Sequence, residues 1–116
     1  MKTYLAVFLG SAAAMDAWKA LPEAERNQRG QAGIAAWHKW VEDHKGAIAE
    51  MGSPLGKTKR TDKNGVSDVR NELGAWTLVK ASSQDEAARL FLNHPHFTIF
   101  PGDRVEVMEC LPIPQM

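Results

Sequence analysis

Two short apolar runs constrain this chain more than any other feature. Residues 3 to 9 read TYLAVFL and residues 74 to 81 read GAWTLVKA. Each is apolar at most positions, and each is too short for a helix with one buried stripe. Strands covered on both faces read this way, because alternate side chains leave water on opposite sides. The first run also carries the β-formers Tyr4, Val7 and Phe8. Lys2, the apolar run and the small residues after it resemble a secretory signal as well, although the run is short for one.

The segments between read as helices and turns. Gly10 to Met15 is a linker of small residues. Pro22 suits the start of a helix, and Glu23 and Glu25 favour its positive end. The helical pattern then runs toward Lys45 and Met51. It places Trp37, Trp40, Val41, His44, Ile48 and Met51 on one side, and Lys39, Glu42, Asp43 and Glu50 opposite. Gly30, Gly33 and Gly46 weaken it. Gly52-Ser53-Pro54-Leu55-Gly56 breaks the pattern, and a polar ribbon follows with Asn64-Gly65 at a hairpin tip. Ser83-Gln84-Asp85-Glu86 is a capping box. The helix it opens sets Ala87, Leu90, Phe91 and His94 on one face, and Pro95 stops it. Arg104 to Leu111 reads as the last strand, and Pro112 and Pro114 keep the tail out of a central ladder.

The order strand, helix, strand, strand, helix, strand is ferredoxin-like βαββαβ, an α+β fold with an antiparallel sheet and two helices on one face. Helices on one face leave the other bare, yet the central runs are apolar on both. A second layer must cover the bare face, and a second copy of the chain is the simplest cover. A homodimer is therefore expected.

The chain's 116 residues suit one modest core. Fourteen basic residues balance fourteen acidic ones, so no broad electrostatic hold on nucleic acid is expected. No run approaches the ~20 apolar residues of a membrane span. Cys110 is the sole cysteine, so no internal disulfide can close, and a reducing cytoplasm is the simple reading.

With these pieces in order, the chain resembles the YCII-related family, also called the DGPF-domain family. The resemblance rests on the first strand, on Trp37-x-x-Trp40, on Gly52-Ser53-Pro54-Leu55-Gly56 with its basic ribbon, on the run from Gly74 to Ser83, on His94-Pro95, and on Val105-Glu106-Val107. It implies one YCII-like dimeric α+β barrel domain over residues 1–116. It also implies a pocket between helix and sheet that part of the family is proposed to use for small-molecule chemistry. The Asp-Gly-Pro-Phe signature itself is absent, and Val66-Ser67-Asp68-Val69 lies in that region. The enzyme-like branch carries a helix histidine and an aspartate before a proline. Here Ala36 or Trp37 falls near the histidine position, with His38 adjacent, and His94 precedes Pro95. A His–Asp acid/base pair is thus not preserved.

Several residues are candidates for chemistry, each with a plainer reading beside it. His44 sits on the apolar stripe, where burial would tune a general base; the plainer reading is a helix-end histidine bonded to backbone and packed on Trp40. His94, read at a helix C-terminus, would favour imidazolium there and stands in the place of the family's pocket acid. His94 and His44 are the catalytic candidates. His38 reads as solvated. Trp37, Trp40 and Trp76 are candidate pocket walls for a small aromatic or acidic ligand, or simply core. His94 and His96 could share a metal only with a third ligand that the sequence does not mark, so neither metal nor cofactor is expected. The basic ribbon reads as a solvated hairpin, and Cys110 as a small packed residue. The functional expectation is a cofactor-independent lyase, isomerase or dehalogenase on a phenol-like substrate. The alternative is a non-catalytic dimeric ligand-binding or regulatory accessory module.

Overall fold

The structure, a computed structural model, describes residues 1–115. Its elements in order are β1 (Lys2–Leu9), α1 (Ala12–Lys19), α2 (Glu23–His44), β2 (Ile48–Pro54), β3 (Thr58–Asp62), β4 (Gly65–Val69), β5 (Leu73–Ala81), α3 (Gln84–Arg89), α4 (Pro95–Thr98) and β6 (Arg104–Glu109). The two apolar runs, β1 and β5, lie side by side at the centre of an antiparallel sheet of order β2-β5-β1-β6. This is a mixed α+β fold of ferredoxin-like arrangement. The β3–β4 hairpin stands outside the sheet, its strands paired only with each other.

The pleat sorts the central strands into two faces. Tyr4, Ala6 and Phe8 stand opposite Val79, Thr77 and Ala75. On this face Tyr4, Ala6, Phe8, Val79 and Ala81 pack with Trp40, Ala87 and Phe91 into the core. The alternate residues point away. Leu5 stands opposite Leu78 and Met108, and Val7 opposite Trp76 and Glu106. Leu5, Val7, Trp76 and Leu78 are only half-buried, and Met108 is 41% exposed. The helices of one chain thus cover one face of a sheet that is apolar on both.

Three elements differ from the sequence reading, each for a physical reason. Gly10 to Met15, read as a linker, begins α1. The Ser11 hydroxyl caps it by accepting the Ala14 N–H at 3.1 Å, and the alanines that follow are the best helix formers. Ile48 and Met51, read as the end of the long helix, belong to β2. The chain leaves the helix at His44, and the free edge of β5 gives the next segment ladder partners that helical spacing cannot foresee. The helix opened by Ser83 ends at Arg89, not at His94. The chain turns through Asn93 at φ 58, and His94 becomes the extended N-cap of α4, with Pro95 at its first position. Cys110, just past the end of β6, is exposed rather than packed.

At one position backbone geometry and a close approach together require glycine. Gly52 sits in β2 at φ +70, and a Cβ there would lie 1.8 Å from the Trp76 carbonyl oxygen. The clash is with main chain of the neighbouring strand, which cannot swing aside. Gly52→Ala is therefore expected to destabilise the protein by more than about 1 kcal/mol, a shift in urea midpoint being the measure. An unchanged midpoint would mean that β2 is not held at this register.

Candidate active-site cleft

The helix face of the sheet ends in a nest of aromatic rings around His94. Phe8, near the end of β1, lies 5.0 Å from Trp37, 5.1 Å from His94, 5.2 Å from His96 and 5.7 Å from Phe91 between ring centroids. His94 meets Trp37 at 4.4 Å and Trp40 at 4.6 Å, both T-shaped. It is fully buried. Its Nδ1 accepts the backbone N–H of His96 at 2.9 Å. A neutral ring that accepts at Nδ1 carries its proton on Nε2, and Nε2 has no hydrogen-bond partner. T-shaped contacts let such an N–H lie against an indole face instead of an oxygen. Burial pushes the His94 pKa down to about 3, helped by the nearby His96 and His44. The sequence had placed His94 at a helix C-terminus, where the dipole favours a cation. The structure places it at a helix N-terminus, where the dipole opposes one.

His44 stacks on Trp40 at 4.8 Å, with its Nδ1 2.7 Å from the Trp40 carbonyl. The Trp40 indole N–H donates to the Leu90 carbonyl at 2.9 Å, which pins α2 to the segment after α3. Packing and backbone bonds thus account for both Trp40 and His44.

A half-open cleft of about 1490 Å³ lies where β2, β5 and the base of the β3–β4 hairpin approach α1, α2 and the turn before β6. Trp18, Trp37, His38, Trp76, His96 and Phe100 are among its lining residues. His94, His44 and Trp40 are not. Of the three tryptophans singled out by sequence, Trp37 and Trp76 border the cleft. Trp76 stands opposite Val7, so its side chain belongs to the sheet face away from Trp37. His38 is exposed at the rim.

The histidine in the cleft wall is His96, which the sequence had marked only as a possible metal partner of His94. Its Nε2 lies 2.8 Å from the Leu9 carbonyl. Its ring lies against Gly102, where a Cβ would come within 2.1 Å of Nε2. Burial pulls its pKa below the usual histidine value, while the Leu9 and Arg104 carbonyls and the Asp103 carboxylate pull the other way. Pro95 explains why neighbours diverge. It holds His94 extended before the turn of α4, so one ring enters the core and the other meets the cleft. Trp18 and Met15 were also missed, and their i, i+3 spacing in α1 was the signal. Gly33, read as a weak point in the helix, is the seat of the Phe100 ring, 2.5 Å from where its Cβ would be. Among the described residues no group of three or more His, Cys, Asp or Glu is placed to hold a metal ion. No helix among them is long and apolar enough to cross a membrane.

No protein-family model matches the chain, and no curated protein does. Its fold is shared with a solved structure of 5-chloro-2-hydroxyhydroquinone dehydrochlorinase from Burkholderia phenoliruptrix, in complex with 2,5-dihydroxybenzoquinone. The TM-score is 0.53 at 19% identity, over 90% of this chain and 89% of that one.

The buried His94 sets an expectation for stability against pH. Its folded pKa lies below its unfolded one, so folding excludes a proton that the unfolded chain binds. The stabilisation is intact above about pH 6.5 and declines as pH falls toward 3, by up to about 1.4 kcal/mol per pH unit. Urea titrations across that range should show the slope, and His94→Phe should flatten it, leaving the part due to His96. An equal slope in the variant would assign the effect to other groups.

Proposed function

We propose that the chain is a YCII-like, cofactor-independent enzyme, of lyase, isomerase or dehalogenase type, for a small hydroxylated aromatic compound. One observation carries this reading. Met15, Ile34, Met51, Leu55 and Leu73 stay 37% to 61% exposed, and all of them line the cleft. Large apolar side chains gather at a surface where something covers them. Trp18, Trp37 and Phe100 add flat walls that suit a planar ring, and His96 adds a polar group to orient it. The dehydrochlorinase of like fold is named for a chlorinated hydroxyhydroquinone and held a dihydroxybenzoquinone. A ligand of that class suits an apolar cleft with few polar groups. Neither His94 nor His44 lines the cleft, so the acid/base roles that sequence suggests for them would need a relay to the ligand. The sealing of His94 also favours a second reading, a non-catalytic dimeric ligand-binding or regulatory module.

The proposal includes a partner and a setting. A second copy packed on Leu5, Val7, Trp76, Leu78 and Met108 would close a dimeric α+β barrel, each chain forming one domain, in the cytoplasm. Sheet faces packed in this way bury apolar surface that one chain leaves wet.

Thermal-shift measurements with phenols, hydroxyhydroquinone and benzoates test the cleft. At least one hydroxylated aromatic should raise the melting temperature, and Ile34→Arg, at an exposed cleft position, should abolish the shift. A panel without any shift would sink the reading. Product formation from a stabilising chlorinated hydroquinone separates an enzyme from a binding module. For the partner, light scattering at micromolar concentration should give twice the chain mass, and Leu78→Glu should halve it. A monomeric wild type would remove the dimer.

A further inference from the structure

His96 has one ring nitrogen committed to the fold and one that is not. A carbonyl only accepts, so the 2.8 Å contact with the Leu9 oxygen puts the neutral ring's proton on Nε2. Nδ1 then carries the lone pair. The structure gives Nδ1 no hydrogen bond; the other bonds of this residue are those of its backbone, the N–H to His94 Nδ1 and the carbonyl to the Gly102 N–H. Nor is Nδ1 sealed, since His94 Nε2 is the buried unpartnered side-chain atom among the described residues. His96 itself is half-buried and lines the cleft. Gly102 lies against the ring, and Phe8 meets it edge-on at 5.2 Å. The imidazole is therefore fixed in place and in tautomer before any ligand arrives.

Resting on the reading of the cleft as a site for small hydroxylated aromatics, we infer that His96 is its proton acceptor, taking the proton of a ring hydroxyl at Nδ1. The O–H bond breaks and its electron pair stays on the ligand oxygen as a phenolate. The proton forms the new bond at Nδ1, and Nε2 keeps its own proton on the Leu9 carbonyl. The resulting imidazolium is favoured by that carbonyl, by the Arg104 carbonyl and by the Asp103 carboxylate. Lys19 and Lys57, which also line the cleft, favour the phenolate. Without a ligand, burial favours the neutral ring, the form that can accept a proton. A carboxylate ligand would bring acceptors to an acceptor, so the site selects hydroxyl over carboxylate.

The probes are 4-nitrophenol, whose visible absorption reports ionisation, and 4-nitrobenzoate, at slightly acidic pH. Long-range proton–nitrogen NMR of the histidine rings reads the tautomer directly in the unaltered protein. The expected result is an Nε2–H tautomer for His96, binding of 4-nitrophenol with gain of phenolate colour, and movement of Nδ1 toward the protonated position. The nitrobenzoate should bind more weakly. His96→Gln should weaken 4-nitrophenol binding by about tenfold or more and remove the colour. An Nδ1–H tautomer in the free protein overturns the inference, and so does 4-nitrophenol binding that leaves the His96 nitrogens unmoved; either result spares the cleft reading. Failure of every hydroxylated aromatic to bind overturns the cleft reading and this inference together. The NMR readout on wild type decides the matter even if the variant fails to fold.

Discussion

Phe8 is the side chain on which the helix face depends. It is fully buried near the end of the central strand β1, and four aromatic rings from three other segments close on it. Trp37 comes from α2, Phe91 from the segment after α3, and His94 and His96 from the two sides of Pro95. Rings bury large apolar areas and prefer tilted or edge contacts, so this cluster sets distance and angle together. The position of α2 over the sheet, the course of the chain after α3 and the cleft wall all follow from it. The His94 ring is polar only at its rim, and the one hydrogen bond the ring makes holds the backbone N–H of His96.

Ion pairs play a smaller part. Every salt bridge described joins side chains that are largely in water, and pairs of that kind contribute little. Arg104 is the most connected, reaching Glu72, Asp103 and Glu106 beside the turn that carries Gly102. The fold is instead an apolar sheet with its helices on one side. That asymmetry leaves two unmet apolar surfaces: the far face of the sheet, and the cleft at the end of β1.

Much of the fold was legible because short, nearly continuous apolar runs that carry β-formers read as strands covered on both faces. TYLAVFL and GAWTLVKA are the two central strands, and Asn64-Gly65 is the tip of the β3–β4 hairpin. The capping box at Ser83 also forms, with the Glu86 N–H on the Ser83 hydroxyl and the Glu86 carboxylate accepting from the Ser82 N–H. What misled was spacing that continues by chance. Ile48 and Met51 extend the stripe of Trp37, Trp40, Val41 and His44, yet they lie in an edge strand. Pattern alone cannot detect the partner strand that claims them. The cleft was less legible. Trp37 could be read as inward from phasing, whereas the choice between His94 and His96 depends on a turn that Pro95 directs.

The sequence by itself determined the two central strands, the antiparallel α+β order, and an apolar surplus too large for the helices of one chain to cover, because run length and composition are local and countable. Only the tertiary structure decided which histidine is sealed and which meets the cleft. That outcome needs the left-handed turn at Asn93, the extended backbone at His94, and a Gly102 that leaves room for the His96 ring against the Leu9 carbonyl. Leu9 and His96 are 87 residues apart in the chain, and their meeting is set by sheet register and ring packing, which no stretch of sequence contains.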